Sequence, residues 1–174
     1  MRLWRESNNG ERLRRRGNRI GLPDIAVRRY TNRSGVSVNL EQQIASDLGV
    51  FARAGLARGN VAPYEFTDID RVIAAGLSLN SKRWGRPDDA SGLAGVIDGM
   101  SGQHRAFLTA GGLRILVGDR QLPNPVTEKI IEMCCSLPFF SWRMTFDCQF
   151  ISNSACNRDR GPVSVIGGRL RAQF

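Results

Sequence analysis

Four cysteines, one histidine and a set of arginines, carboxylates and amides are the side chains with recognisable chemistry in this 174-residue sequence. The cysteines (Cys134, Cys135, Cys148, Cys156) do not form a zinc pattern: no pair is spaced C-x2–4-C, and His104 lies 30 residues before the nearest thiol. Adjacent Cys134 and Cys135 on a strand would point to opposite faces, so they would not easily serve one tetrahedral ion. Carboxylates occur in "EFTDID" and "RPDD", yet His104 has no paired nucleophile or metal cluster nearby. The expectation is a protein that is not an enzyme and that holds no metal and no cofactor. What remains is polar recognition, because Arg, Asp, Glu, Asn and Gln offer charge-assisted donors and acceptors to hydroxyl groups. Glu41, Gln43, Arg53, Arg143, Asp147, Gln149, Arg169 and Arg171 are the candidates, and each has an apolar residue on at least one side.

That flanking pattern identifies the elements that hold them. In "SGVSVNLEQQI" (34–44), Val36, Val38, Leu40 and Ile44 alternate with Ser37, Asn39, Glu41 and Gln43. "LGVFARAGLAR" (48–58) sets Val50, Ala52, Ala54 and Leu56 against Arg53, and "SD" (46–47) reads as a tight turn before it. "RVIAAGLSLN" (71–80) continues the pattern, and "WRMTFDCQFI" (142–151) opposes Trp142, Met144, Phe146, Cys148 and Phe150 to Arg143, Thr145, Asp147 and Gln149. The closing "GPVSVIGGRLRAQF" puts Phe174, Ala172, Leu170, Gly168 and Ile166 on one face and Arg169 and Arg171 on the other. "GLAGVIDG" (92–99) and "EKIIEMCC" (128–135) are weaker members of the set. "SGQHRAFLTAGG" (101–112) begins as a short helix that Gly111 and Gly112 break. "APYEFTD", "SKRWGRPDDAS" and "SNSACNRDRGP" read as polar loops.

The net charge of +9 is concentrated at one end. Residues 1–33 hold ten Arg against three acids, a surplus of +7, and the other 141 residues carry only +2. Residues 1–23 are therefore set apart as an Arg-rich, poorly ordered arm, and 24–174 as the body. The arm has no apolar h-region or small-residue cleavage site, so it does not read as a secretory signal. No stretch approaches the roughly 20 apolar residues of a membrane helix. About seven alternating strands make either a soluble sandwich or a membrane barrel whose apolar face meets lipid and whose polar face meets a water-filled lumen. A soluble sandwich scatters Lys over its outer faces, whereas Lys82 and Lys129 are the only lysines here. The barrel is favoured. The alternative is a soluble basic β-domain that binds a polyanion through Arg12, Arg14, Arg15 and Arg16.

Longer strings carry a resemblance. "VNLEQQIASDLGVFARAGLARGNVAPYEFTDIDRVIAAGLSLNSKRWGRPDDASGLAGVI" and "NRDRGPVSVIGGRLRAQF" closely resemble the C-terminal part of the carbohydrate-selective outer-membrane porins of the OprB type, from about Asp24 to Phe174. The resemblance implies an all-β fold, an antiparallel up-and-down transmembrane β-barrel of sixteen strands, here a partial barrel of about seven strands with one short helix. It implies passive diffusion of mono- and small oligosaccharides across the outer membrane of a Gram-negative bacterium. Outer-membrane lipid and the barrel assembly machinery are implied partners, with Phe174 as the assembly signal, and a homo-oligomer is a candidate state; nucleic acid is not an expected partner. The eight polar candidates become a lumen-facing, substrate-binding set, and Tyr64, Glu65, Trp84 and Arg86 loop residues at the rim.

The chain departs from the family pattern in three ways. Family chains are more than twice as long and begin with a signal peptide. Seven strands do not close a pore wide enough for sugar, and open edges in lipid cost several kcal/mol per unpaired backbone group. Similar porins carry aromatic residues, as in "ETYYS" and "TFDYQF", where this chain has its four cysteines. The combination is that of a truncated or degenerate copy.

Overall fold

The computed structural model describes residues 2–6, 11–12, 31–62, 68–110, 122 and 124–172. Its strands are β1 (Arg2–Glu6), β2 (Glu11–Arg12), β3 (Arg33–Ala45), β4 (Leu48–Ala57), β5 (Val61–Ala62), β6 (Arg71–Asn80), β7 (Ala90–Gly99), β8 (Glu128–Phe139), β9 (Trp142–Ser152) and β10 (Val163–Ala172). The helix α1 (Gly102–Thr109) is capped by Ser101, whose hydroxyl accepts from the His104 N–H. Eight strands form one sheet in the order β1-β3-β4-β6-β7-β8-β9-β10, every pair antiparallel, and β2 pairs separately with β5.

The seven alternating segments are the seven long strands of this sheet. The eighth, β1, lies within the stretch set apart as an Arg-rich arm, and Arg2–Glu6 pair with Arg33–Ser37. Five residues with charge at three of them give no period that a sequence reading can use. Phe174, Tyr64 and Glu65 lie outside the described residues, as do Arg14, Arg15 and Arg16.

Neighbouring strands run up and down, so their connections fall at two ends. At one end lie the tight turns at Ser46–Asp47 and at Phe140–Ser141, with Phe140 at φ 53°, and the 81–89 loop. At the other lie the longer connections 58–70, 100–127 and 153–162. A strand of 10 residues, such as β4 or β6, spans about 33 Å at about 3.3 Å per residue, and a tilt of about 40° reduces this to about 25 Å. That is the height of the apolar band of a membrane barrel.

The burial pattern excludes a sandwich. Val61, Met100, Leu108, Leu122 and Cys156 are the buried apolar residues among those described, and none lies in a long strand. Leu40, Ile73, Ile131, Met133, Phe139 and Leu170 are each more than half exposed. Water alone would penalise such a surface, so an apolar medium must cover it.

The real core lies at the long-connection end, where Met100, Leu108, Leu122 and Cys156 pack together with Phe107 against them. Beside it sits a buried polar latch. Arg33, at the start of β3, donates to the Arg58 and Ile69 carbonyls (3.2 and 3.0 Å) and to Asp70 Oδ1 (2.9 Å). Asp70 Oδ2 accepts from the Ser101 N–H (2.7 Å) and lies 3.2 Å from His104 Nδ1, while His104 Nε2 is 3.6 Å from Asp68 Oδ1. A side chain at Gly59 would collide with Ser101 Oγ and Asp70 Oδ2, so a residue without Cβ is required there. The latch ties the start of β3, the 58–70 connection and the start of α1 into one rim.

Candidate lumen wall

Cross-strand register decides which side chains share a face, because residues directly opposite project to the same side. One row runs Leu40–Ala52–Ala75–Gly95–Ile131–Phe150. Parallel to it run Val38–Ala54–Ile73–Ile97 and, further along the sheet, Met133–Cys148–Ile166 and Leu137–Met144–Leu170. This face is apolar from β3 to β10 except towards its ends, where Gln42 stands opposite Val50 and Lys129 opposite Ile97. Where it meets the tight turn after β8, Phe139 pairs with Trp142, and the Phe139 and Phe140 rings meet edge to face at 4.7 Å. Exposed aromatics at the end of an apolar band match an interfacial girdle.

The opposite face carries all eight polar candidates, in two groups. Glu41, Gln43 and Arg53 stand on β3 and β4, opposite Phe51, Gly49 and Asn39 respectively. Arg143, Asp147, Gln149, Arg169 and Arg171 stand on β9 and β10, with Arg143 opposite Arg171, Thr145 opposite Arg169 and Asp147 opposite Gly167. Between the groups the wall is low: Gly55, Ala74, Gly76, Gly92 and Ala94 occupy the same face on β4, β6 and β7. Small residues there leave room beside the polar groups.

The polar groups are knitted to one another. Arg53 donates from Nε to Asn39 Oδ1 (2.9 Å) and from Nη2 to Glu41 Oε1 (3.0 Å), and Asn39 also donates to Glu41 Oε1 (3.2 Å). Gln149 donates to Glu132 Oε2 (3.0 Å), and Arg143 donates to Ser136 Oγ (3.2 Å). The rim candidate Arg86 pairs with Asp89 (2.6 Å), and Trp84 ends the short 3-10 turn Ser81–Trp84 that precedes it.

Several wall residues escape the sequence reading. Glu132, Cys134 and Ser136 share the face with Asp147 and Thr145, but "EKIIEMCC" alternates too weakly to assign sides. Phe51 breaks the rule that the apolar residue faces away: it projects to the polar side, and its ring lies against Gly76, where a Cβ would sit 2.6 Å from the ring. The buried Asp98, opposite Glu128, keeps an Oδ1 without a hydrogen-bond partner among the described residues. The latch was also missed, since Arg33, Asp70 and His104 meet only through folding.

The cysteines divide between the environments. Cys134 is on the polar face opposite Asp147, Cys135 is on the apolar face opposite Phe146, Cys148 lies opposite Met133 on that same face, and Cys156 is in the loop core. All four are free thiols.

An antiparallel sheet with a continuous exposed apolar face, a hydrogen-bonded polar face, an aromatic cluster at one end and long connections at the other defines the wall of an outer-membrane β-barrel. In this sheet the two edge strands, β1 and β10, are not paired with each other, so the barrel is partial and unclosed. Comparison with protein families matches residues 3–174 to the carbohydrate-selective porins of the OprB family, and the chain belongs to that family. These are outer-membrane channel proteins of Gram-negative bacteria, a transport family and not an enzyme family. No curated protein and no solved structure matches the chain.

Proposed function

We propose that this chain supplies a section of the wall of a sugar-conducting diffusion channel, with Glu41, Gln43, Arg53, Arg143, Asp147, Gln149, Arg169 and Arg171 lining the water-filled side. One observation carries the reading: the same register that leaves Leu40, Ile131 and Phe150 in an exposed apolar row gathers all eight polar candidates on the other face. A sugar crossing such a wall exchanges hydrogen bonds with water for weak, repeated bonds to side chains, and leaves again. The long connections, stabilised by the latch, face the cell exterior, and the tight turns face the periplasm. An eight-stranded barrel has an interior filled by its own side chains, so in the refolded assembly a second copy of the chain, pairing along the β1 and β10 edges, completes a pore for mono- and small oligosaccharides. Cys135 and Cys148, standing on the outer face where similar porins carry aromatics, fit a degenerate copy that has lost part of its anchoring.

The test is refolding of the purified chain with detergent or lipid vesicles, followed by far-UV circular dichroism and planar-bilayer conductance. The reading predicts β-structure that depends on detergent or lipid, and discrete conductance steps. Full β-structure in plain buffer contradicts it.

A further inference from the structure

The cluster around Arg53 is only half committed. Glu41 Oε1 accepts from both Arg53 Nη2 and Asn39, and Arg53 Nε is taken by Asn39 Oδ1. Arg53 Nη1 and Glu41 Oε2 have no partner among the described residues. Both side chains are open to solvent, at 57 % and 60 % exposure. Their positions are nevertheless fixed from three sides. Asn39 bonds both members of the pair, β3 and β4 hold them in register, and the Arg53 Cζ sits 5.1 Å from the centroid of the Phe51 ring. Phe51 in turn lies against β6 at Gly76, where any Cβ would push the ring away. A cavity of about 490 Å³ opens beside the cluster, bordered by Glu41, Gln43, Asp47, Phe51, Ser78 and Asn80.

We propose that Arg53 Nη1 and Glu41 Oε2 form a clamp for a vicinal diol, with Asn39 and Phe51 as positioning residues. The inference rests on the channel reading and gives that wall a defined recognition element. A hydroxyl is both donor and acceptor. One member of a diol accepts from the fixed guanidinium, and its neighbour donates to the free carboxylate oxygen. Adjacent hydroxyls on a pyranose ring present this pair of functions side by side, whereas an ether can only accept and an isolated alcohol must reach both groups from a single oxygen. Because the clamp is solvent-exposed, the bound sugar competes with water at each bond, and dwell times stay short enough for passage.

The experiment reads interruptions of single-channel KCl current by added glucose, with triethylene glycol as an uncharged solute that lacks a vicinal diol. The wild-type protein is expected to show concentration-dependent interruptions with glucose and only a smooth reduction of current with triethylene glycol. Glu41→Gln removes the carboxylate acceptor and is expected to weaken glucose interruption roughly tenfold in the channels that open. Phe51→Leu is expected to weaken it similarly, and Phe51→Tyr, which keeps a ring under the guanidinium, to retain it. Open channels whose glucose interruptions are unchanged in Glu41→Gln would overturn the clamp and leave the channel reading standing. No conductance from the wild-type chain would overturn both.

Discussion

Arg33 and Asp70 meet as a charge pair from which water is excluded, each side chain less than a tenth exposed. Burial alone would raise the pKa of Asp70, but hydrogen bonds from His104 and from the Ser101 N–H outweigh it and hold the carboxyl below its ordinary 3.8. A carboxyl with a depressed folded-state pKa contributes stability that is fully present above its unfolded value and is lost as pH falls through the folded value. The rim is therefore expected to hold at neutral pH and to loosen below about pH 4, seen as lost hydrogen-exchange protection at the Ser101 amide. Asp70→Asn leaves the buried Arg33 guanidinium without its counter-charge and is expected to cost about 3–5 kcal/mol in rim stability, measured by protease nicking of the 58–70 and 100–110 segments. At Gly76 the limit is space: Gly76→Val drives its Cβ into the Phe51 ring and the Leu93 carbonyl, and a loss of about 1–3 kcal/mol is expected in urea unfolding of the lipid-inserted protein.

Strand alternation carried most of what the sequence could disclose. Segments such as 142–150 assign side chains to faces on inspection, because period 2 is plain where Trp142, Met144, Phe146 and Phe150 alternate with Arg143, Thr145, Asp147 and Gln149. The same logic puts all eight polar candidates on one side of their strands, as the register has them. It failed where the pattern thins. In β8, Cys134 and Cys135 are both small and mildly apolar, so neither marks a side, and Glu132 went unnoticed. In β4, Phe51 faces the polar side because Gly76 across the strand leaves a slot for a ring, a cross-strand fact that no single segment contains. The latch bonds join residues 25 to 37 positions apart, and β1 is too short to show a period. An element-level prediction follows from the two faces. Phe146→Arg puts a charge on the lipid side and is expected to destabilise by about 2–4 kcal/mol, whereas Thr145→Arg, one residue away on the polar side, is expected to be tolerated, both read by urea unfolding in vesicles.

At the scale of the whole molecule the sheet has no core of its own. On the proposed channel reading its exposed apolar face is covered by lipid, and its β1 and β10 edges by further strands. The loop end, in contrast, carries a conventional core and a satisfied polar network, and it would stand in water on one side of the membrane. Native cysteines report on both environments. Variants that each retain one of Cys134, Cys135 and Cys148 can be inserted into vesicles and treated with a charged, membrane-impermeant thiol reagent. The account predicts that Cys134, facing the lumen, is labelled, while Cys135 and Cys148, facing lipid, are protected until the vesicles are dissolved and the protein is denatured. Labelling of Cys135 and Cys148 as fast as Cys134 in intact vesicles would contradict a wall with lipid on one face and water on the other.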